Sequence, residues 1–161
     1  MYARATRKES YCGEMMQMDT APCIEIRVTR RFTAPADRVF NAWIDPATAG
    51  KWLFATAWRP MSGVAIDART GGKFRLEEQP GGKGAIQAGR YLEIDRPRRL
   101  VFTLLNGNGR RDTPRVSVGI IAMGEGCELS LVHEGVLPPD AHRVEGRWLG
   151  MLHGLATLLE R

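Results

Sequence analysis

Apolar residues recur along the chain with two periods, and the switches between them mark out its elements. Ile24, Ile26 and Val28 alternate with Glu25, Arg27 and Thr29, a period of two that predicts a half-buried strand continued by Phe32. From Ala36 the period changes. Ala36, Val39, Phe40 and Trp43 fall three or four apart, which puts them on one face of a short helix. Asp45-Pro46 ends that helix and opens another, since Asp45 suits a cap and Pro46 a first helical position, where an N–H would have had no partner. Alternation then returns. Val64, Ile66 and Ala68, a Gly71-Gly72 turn, and Phe74 with Leu76 read as a hairpin. Residues 86–94, 100–105, 116–123 and 127–134 read as further strands, with Gly89 marking a bulge or a close backbone approach. The sum is six or seven antiparallel strands. Beyond Pro138-Pro139, Ala141, Val144, Trp148, Met151, Leu152, Leu155 and Leu159 share one face of a long helix. At about 20 residues it would be roughly 30 Å long, enough to cross a sheet. Asp140 favours its positive N-terminus.

Four blocks of wording carry more than period. They are Ala34 to Pro46 running on to Lys51-Trp52-Leu53, then Thr70-Gly71-Gly72-Lys73-Phe74-Arg75, then Gly89 to Thr103, then Leu129 to Gly135. In this order and spacing they resemble the activator of heat-shock-protein-90 ATPase homologue family, within the START-like, Bet v 1-like superfamily, over about residues 24–160. The resemblance implies an α+β helix-grip fold: a curved antiparallel sheet of six to seven strands around a long C-terminal helix, with two short helices after the first strand. Residues 23–161 would form this domain. Residues 1–22 mix Arg4, Arg7, Lys8, Glu9, Glu14 and Asp19 without a sustained period and read as a disordered tail, within which Met15, Met16 and Met18 are alternative translation starts. The superfamily looks like a scaffold reused for lipid carriage, cyclase chemistry, self-resistance and chaperone regulation, so the fold locates a site without naming its task.

Composition narrows the classes. At 161 residues and 43% hydrophobic, the chain is long and apolar enough for one globular domain with a real core. No apolar run approaches the roughly 20 residues of a membrane span, and the N-terminus lacks the apolar centre of a signal peptide. The expectation is a soluble, cytoplasmic protein without a membrane partner. Cys12, Cys23 and Cys127 are odd in number and lack paired spacing, which suits reduced thiols in a reducing compartment. The formal charge of +5 raises nucleic acid as a partner. Arg96, Arg98 and Arg99 lie in one turn and Arg110, Arg111 and Arg115 around the next, so a strand of roughly 20 Å separates the two clusters. Split charges of this kind predict no specific nucleic-acid partner.

Catalytic constellations are not apparent. His133 shares a strand face with Cys127, Leu129 and Leu131, but six residues of strand set it roughly 20 Å from Cys127, too far for a nucleophile-base dyad. His142 and His153 are separated by about 16 Å of helix and cannot share one metal ion. Glu77, Glu78, Glu93 and Glu134 are not forced into pairs. No catalytic residue, metal ligand or cofactor is assigned. The residues expected to bind a small apolar ligand between helix and sheet are Trp52, Trp58, Phe74, Tyr91, Phe102, Val118, Leu131, His133, Trp148 and Leu152. A cavity of roughly 300 Å³ or more should lie between Trp148, Phe102, Val118 and Leu131. Trp43 belongs to the core; Arg75, Arg90 and Tyr91 would orient an anionic or carbonyl-bearing ligand if a bulge turned them inward, whereas strict alternation places Arg75 and Tyr91 outward. Gly146, Gly150 and Gly154 project from the opposite helix face at a cost of about 0.8–1.0 kcal/mol each relative to Ala, which a homodimer contact would offset. Two other readings stand beside ligand binding: a cyclase- or hydrolase-type enzyme in the same cavity, and a protein-interaction module that regulates a chaperone.

Overall fold

The computed structural model describes residues 3–11, 22–54, 61–79, 84–105 and 114–160. Their elements run β1 (Ala3–Tyr11), β2 (Pro22–Phe32), α1 (Ala36–Ile44), α2 (Pro46–Trp52), β3 (Gly63–Ile66), β4 (Lys73–Glu77), β5 (Ile86–Asp95), β6 (Arg99–Leu105), β7 (Arg115–Met123), β8 (Gly126–Val136) and α3 (Ala141–Leu159), with a single 3₁₀ turn, Pro138–Asp140, leading into α3. The strands form one sheet in the order β1-β2-β8-β7-β6-β5-β4-β3, and every pairing is antiparallel. α1 packs on β7 and β8, and α3 lies against β2 and α2. This is the α+β helix-grip.

The two short helices start as their sequence dictates. Pro46 is the first residue of α2, and the Asp45 carbonyl accepts from the N–H groups of Thr48 and Ala49. The Asp45 carboxylate accepts from the Thr48 hydroxyl at 2.7 Å, not from a backbone N–H. On α3 the buried residues are Ala141, Trp148, Met151, Leu152, Leu155, Ala156 and Leu159, the stripe the period predicts except that Val144 is only half-buried.

The sheet has eight strands where six or seven were expected. Residues 3–11, read from sequence as part of a disordered tail, form β1, which pairs with β2 from Ala3 opposite Arg30 to Tyr11 opposite Pro22. An edge strand covered on one side needs little apolar surface. Here Ala3 and Ala5 are the half-buried positions between exposed Arg4 and Thr6, too faint a period to read. Arg7 then fixes the strand to α3 through Glu145 at 2.8 Å. The expectation of three reduced cysteines also needs correction. Cys23 takes part in a disulfide, Cys127 is a buried free thiol, and Cys12 lies outside the described residues.

Two irregularities set which side chains reach the interior. In β5, Tyr91 faces Phe102 and Glu93 faces Val101, so Leu92 is an extra residue without a cross-strand partner in the register. That residue reverses the parity. Tyr91 therefore points inward and is 3% exposed, against the outward placement that strict alternation predicts, while Arg75 and Arg90 stay exposed. In β8, Glu134 and Gly135 together oppose Glu25, and Gly135 takes a φ of 84°, a left-handed conformation open to glycine at no steric cost. His133 and Val136, three apart, both turn inward as a result.

Gly89 marks a close backbone approach and not a bulge. A Cβ there would overlap the Thr103 carbonyl and lie 2.6 Å from the Phe74 ring. Gly146, Gly150 and Gly154 meet nothing within 4 Å. Opposite outcomes follow for alanine. Gly89→Ala should cost about 2–4 kcal/mol in urea denaturation, whereas Gly150→Ala should gain about 0.8–1.0 kcal/mol. A loss at Gly150 would mean that another chain covers that face.

Candidate functional site

The space inside the grip is filled with rings. Trp43, on α1, receives the edge of Trp52 at 4.6 Å between centroids, and lies 6.2 Å from Phe102 and 6.1 Å from Trp148. Phe102 in turn meets Phe74 edge-on at 5.4 Å, and Phe74 stacks near Tyr91 at 5.3 Å. Trp52 is pinned by its indole N–H donating to the Ala42 carbonyl at 2.9 Å. Burial raises the pKa of the Tyr91 phenol, with Asp67 adding to the effect. Between Trp43, Leu53, Phe74, Tyr91, Leu100 and Phe102 only about 10 Å³ stays open, room for one water at most. The buried Trp43 indole N–H has no hydrogen-bond partner among the described residues.

Of Trp148, Phe102, Val118 and Leu131, between which a cavity was expected, only Trp148 borders the main opening beside α3. A pocket of about 290 Å³ opens between the first half of α3 and the end of the sheet where β8 leaves its partner strand. Val144, Trp148 and Met151 line it from α3, and Phe54 from the chain after α2. Gly135, Val136 and Leu137 form the wall on the sheet side, and Leu104 and Pro114 the far side. Of the ten residues chosen from sequence, His133 and Trp148 line this pocket. Trp52, Phe74, Tyr91, Phe102, Val118, Leu131 and Leu152 are buried in the core, each at most 4% exposed, and do not line it. Trp58 lies outside the described residues. The aromatic side chains of α1, α2 and the sheet are large and occupy much of the interior.

Polar groups gather at one end. Trp148 donates its indole N–H to Nδ1 of His133 at 2.9 Å. That bond assigns the tautomer, because a neutral imidazole whose Nδ1 accepts carries its proton on Nε2. His133 is 7% exposed, and its pKa is lowered to about 4, first by burial and then by the charge of Arg147. At neutral pH it can donate from Nε2, while its lone pair on Nδ1 is occupied, so it is poorly suited to act as a general base. Arg147, exposed at the rim, places its guanidinium 5.5 Å from the centroid of the Phe54 ring. Partial burial of the guanidinium and then neighbouring Arg143 lower its pKa, and the group stays charged. Arg143 pairs with Asp140 at 3.2 Å.

Phe54 is held in an unusual way. Its φ is 56°, left-handed for a residue with a bulky side chain, which costs of order 1–3 kcal/mol. Its N–H points to the Met151 sulfur at 3.1 Å and its ring meets Trp148 edge-on at 5.7 Å. Sequence reasoning passed over Phe54 and Arg147. For Arg147 a signal existed, its place beside Trp148 at the border of the apolar helix face; the conformation of Phe54 has none. Among the described residues no three His, Cys, Asp or Glu side chains are grouped to hold a metal ion.

A curved antiparallel sheet closed over a C-terminal helix, with its open space at one end of that helix, defines a helix-grip protein. The chain belongs to the activator of Hsp90 ATPase homolog 1-like protein family, whose pattern matches residues 33–160. Among solved structures it is similar to CalU16 from Micromonospora echinospora, at 25% identity and a TM-score of 0.65, covering 96% of this chain and 85% of that one. It is also similar to CV1439 from Chromobacterium violaceum, at 28% identity and a TM-score of 0.73, covering 85% and 97%. PFC0360w, an HSP90 activator from Plasmodium falciparum, shares the fold at 22% identity and a TM-score of 0.67, covering 84% and 96%. Comparison with curated proteins finds no match. Among the described residues no helix is long and apolar enough to cross a membrane.

The depressed histidine makes stability depend on pH. Above pH 6.5 His133 is neutral in both folded and unfolded chains; between 6.5 and about 4 only the unfolded chain takes up the proton, so stability falls with pH. The loss from this group should approach about 3 kcal/mol at pH 4. His133→Asn keeps an acceptor for Trp148 and cannot titrate. Urea denaturation of both proteins should therefore show the native advantage over the variant shrinking by that amount between pH 7 and pH 4, and a constant difference would refute a buried neutral His133.

Proposed function

We propose that the protein binds a small amphipathic molecule in the pocket beside the first half of α3. The observation that carries this reading is the pocket's lining: around a space of about 290 Å³, apolar residues of α3 and Phe54 with a few polar groups at one end. Trp148, Met151 and Val144 would take the apolar part. An enzyme in the same place is a weaker account. Its one inward titratable group at the pocket, His133, is a donor with its other nitrogen engaged, and no nucleophile or carboxylate is hydrogen-bonded to it among the described residues.

A protein-interaction role is the second reading, favoured by the packed interior, which leaves only about 10 Å³ where a deep ligand cavity would be. The family description and the HSP90 activator named among the similar structures agree with it. Cytoplasmic residence loses one support, because Cys23 is in a disulfide. A homodimer through Gly146, Gly150 and Gly154 would use a helix face that is open in the single chain.

Titration with 1-decanol, a neutral probe, should change tryptophan fluorescence saturably. Trp148→Phe should remove most of that change in a folded protein, and Val144→Phe, which fills the pocket, should weaken binding at least about tenfold. Trp43→Phe should instead cost about 1–3 kcal/mol of stability and alter affinity little. Absence of saturable binding, or binding indifferent to Val144→Phe, would leave the interaction module as the account.

A further inference from the structure

Three features of the pocket's polar end fit together. His133 is more than nine-tenths buried, lines the pocket, and has Nδ1 engaged by Trp148, so the nitrogen left to meet a ligand is Nε2, which carries a proton. Nε2 has no hydrogen-bond partner among the described residues. Arg147 also lines the pocket, and its guanidinium has no ion pair or hydrogen bond among the described residues; it rests over the ring of Phe54. The acid that lines the same pocket, Asp140, is already engaged by Arg143. Two cations and one anion at this end leave one positive charge without a counterpart.

We propose that this end of the pocket receives a carboxylate, so that the ligand is an amphipathic organic acid whose anionic head meets Arg147 and His133 Nε2–H and whose apolar part lies on Trp148 and Met151. The proposal rests on the pocket being a ligand site. A carboxylate offers acceptors only, two oxygens with lone pairs for the guanidinium fork and the imidazole N–H, which matches a pair of groups that only donate. An alcohol of the same length can accept from His133 but leaves the Arg147 charge unpaired. An ammonium head would bring donor against donor and charge against like charge. The cation–π contact with Phe54 favours this place for the guanidinium, and the Phe54 ring itself rests edge-on against Trp148.

The test compares three probes that share one tail: decanoate, 1-decanol and decylammonium, each titrated calorimetrically into the native protein at pH 7.5. Decanoate should bind about tenfold to a hundredfold more tightly than 1-decanol, the range for adding charged hydrogen bonds, and decylammonium most weakly. In Arg147→Met the ratio of decanoate to decanol affinity should fall to about one, and in Arg147→Lys it should recover part of its value, since the charge returns without the fork. Equal affinities for decanoate and decanol in the native protein, or a preference for decanoate that survives Arg147→Met, would overturn the carboxylate assignment while leaving the pocket as a site for neutral amphipaths. If neither decanoate nor decanol binds, the ligand-binding reading falls and this proposal with it.

Discussion

Trp43 is the residue on which the arrangement of the molecule depends. It belongs to α1, receives Trp52 from α2, touches Phe102 of the sheet, and lies against Trp148 of α3, so four elements are registered by one indole. Large rings leave little freedom once they interlock, because close-packed interiors resist change in volume and shape. The position of α3 over the sheet follows from that interlock. The open space lies beside the first half of α3, where that helix faces the end of β8.

Much of this was legible in the sequence, because period survives in a chain whose sheet has one buried face. Ile24 to Val28, Leu129 to His133 and the α3 stripe all lie where their spacing puts them. Tyr91 was not legible. A single extra residue at Leu92 reverses which positions face inward, and nothing about a leucine announces a bulge. β1 was missed because its inward positions are alanines. The site is a different matter: sequence shows which residues point inward but not whether their summed volume leaves space, and seven of the ten candidate ligand residues lie in the packed core.

The pocket joins two of these effects. The bulge at Gly135 turns both His133 and Val136 inward at the edge of the packed region, and Trp148, the last ring of the aromatic series, supplies the donor that fixes the imidazole. A polar group thereby sits in an apolar setting without its own proton being consumed. Burial keeps the ring neutral, and neutrality removes the charge repulsion that a second cation beside Arg147 would bring. The site is therefore built by the same aromatic packing that closes the interior, and a change to the core at Trp148 would be felt in its electrostatics.

β1 has a consequence for how the molecule meets its own kind. A sheet's last strand always leaves a row of unpaired amides and carbonyls, a template on which another chain can add. By covering β2, β1 moves that row outward onto a strand whose exposed side chains include Arg4 and Lys8. A neighbouring copy approaching this border meets positive charge, whereas β2 stripped of its cover would offer the free side of an eleven-residue strand with Ile24, Ile26 and Val28 beneath it. The first strand thus acts as a guard, exchanging an adhesive border for a repellent one.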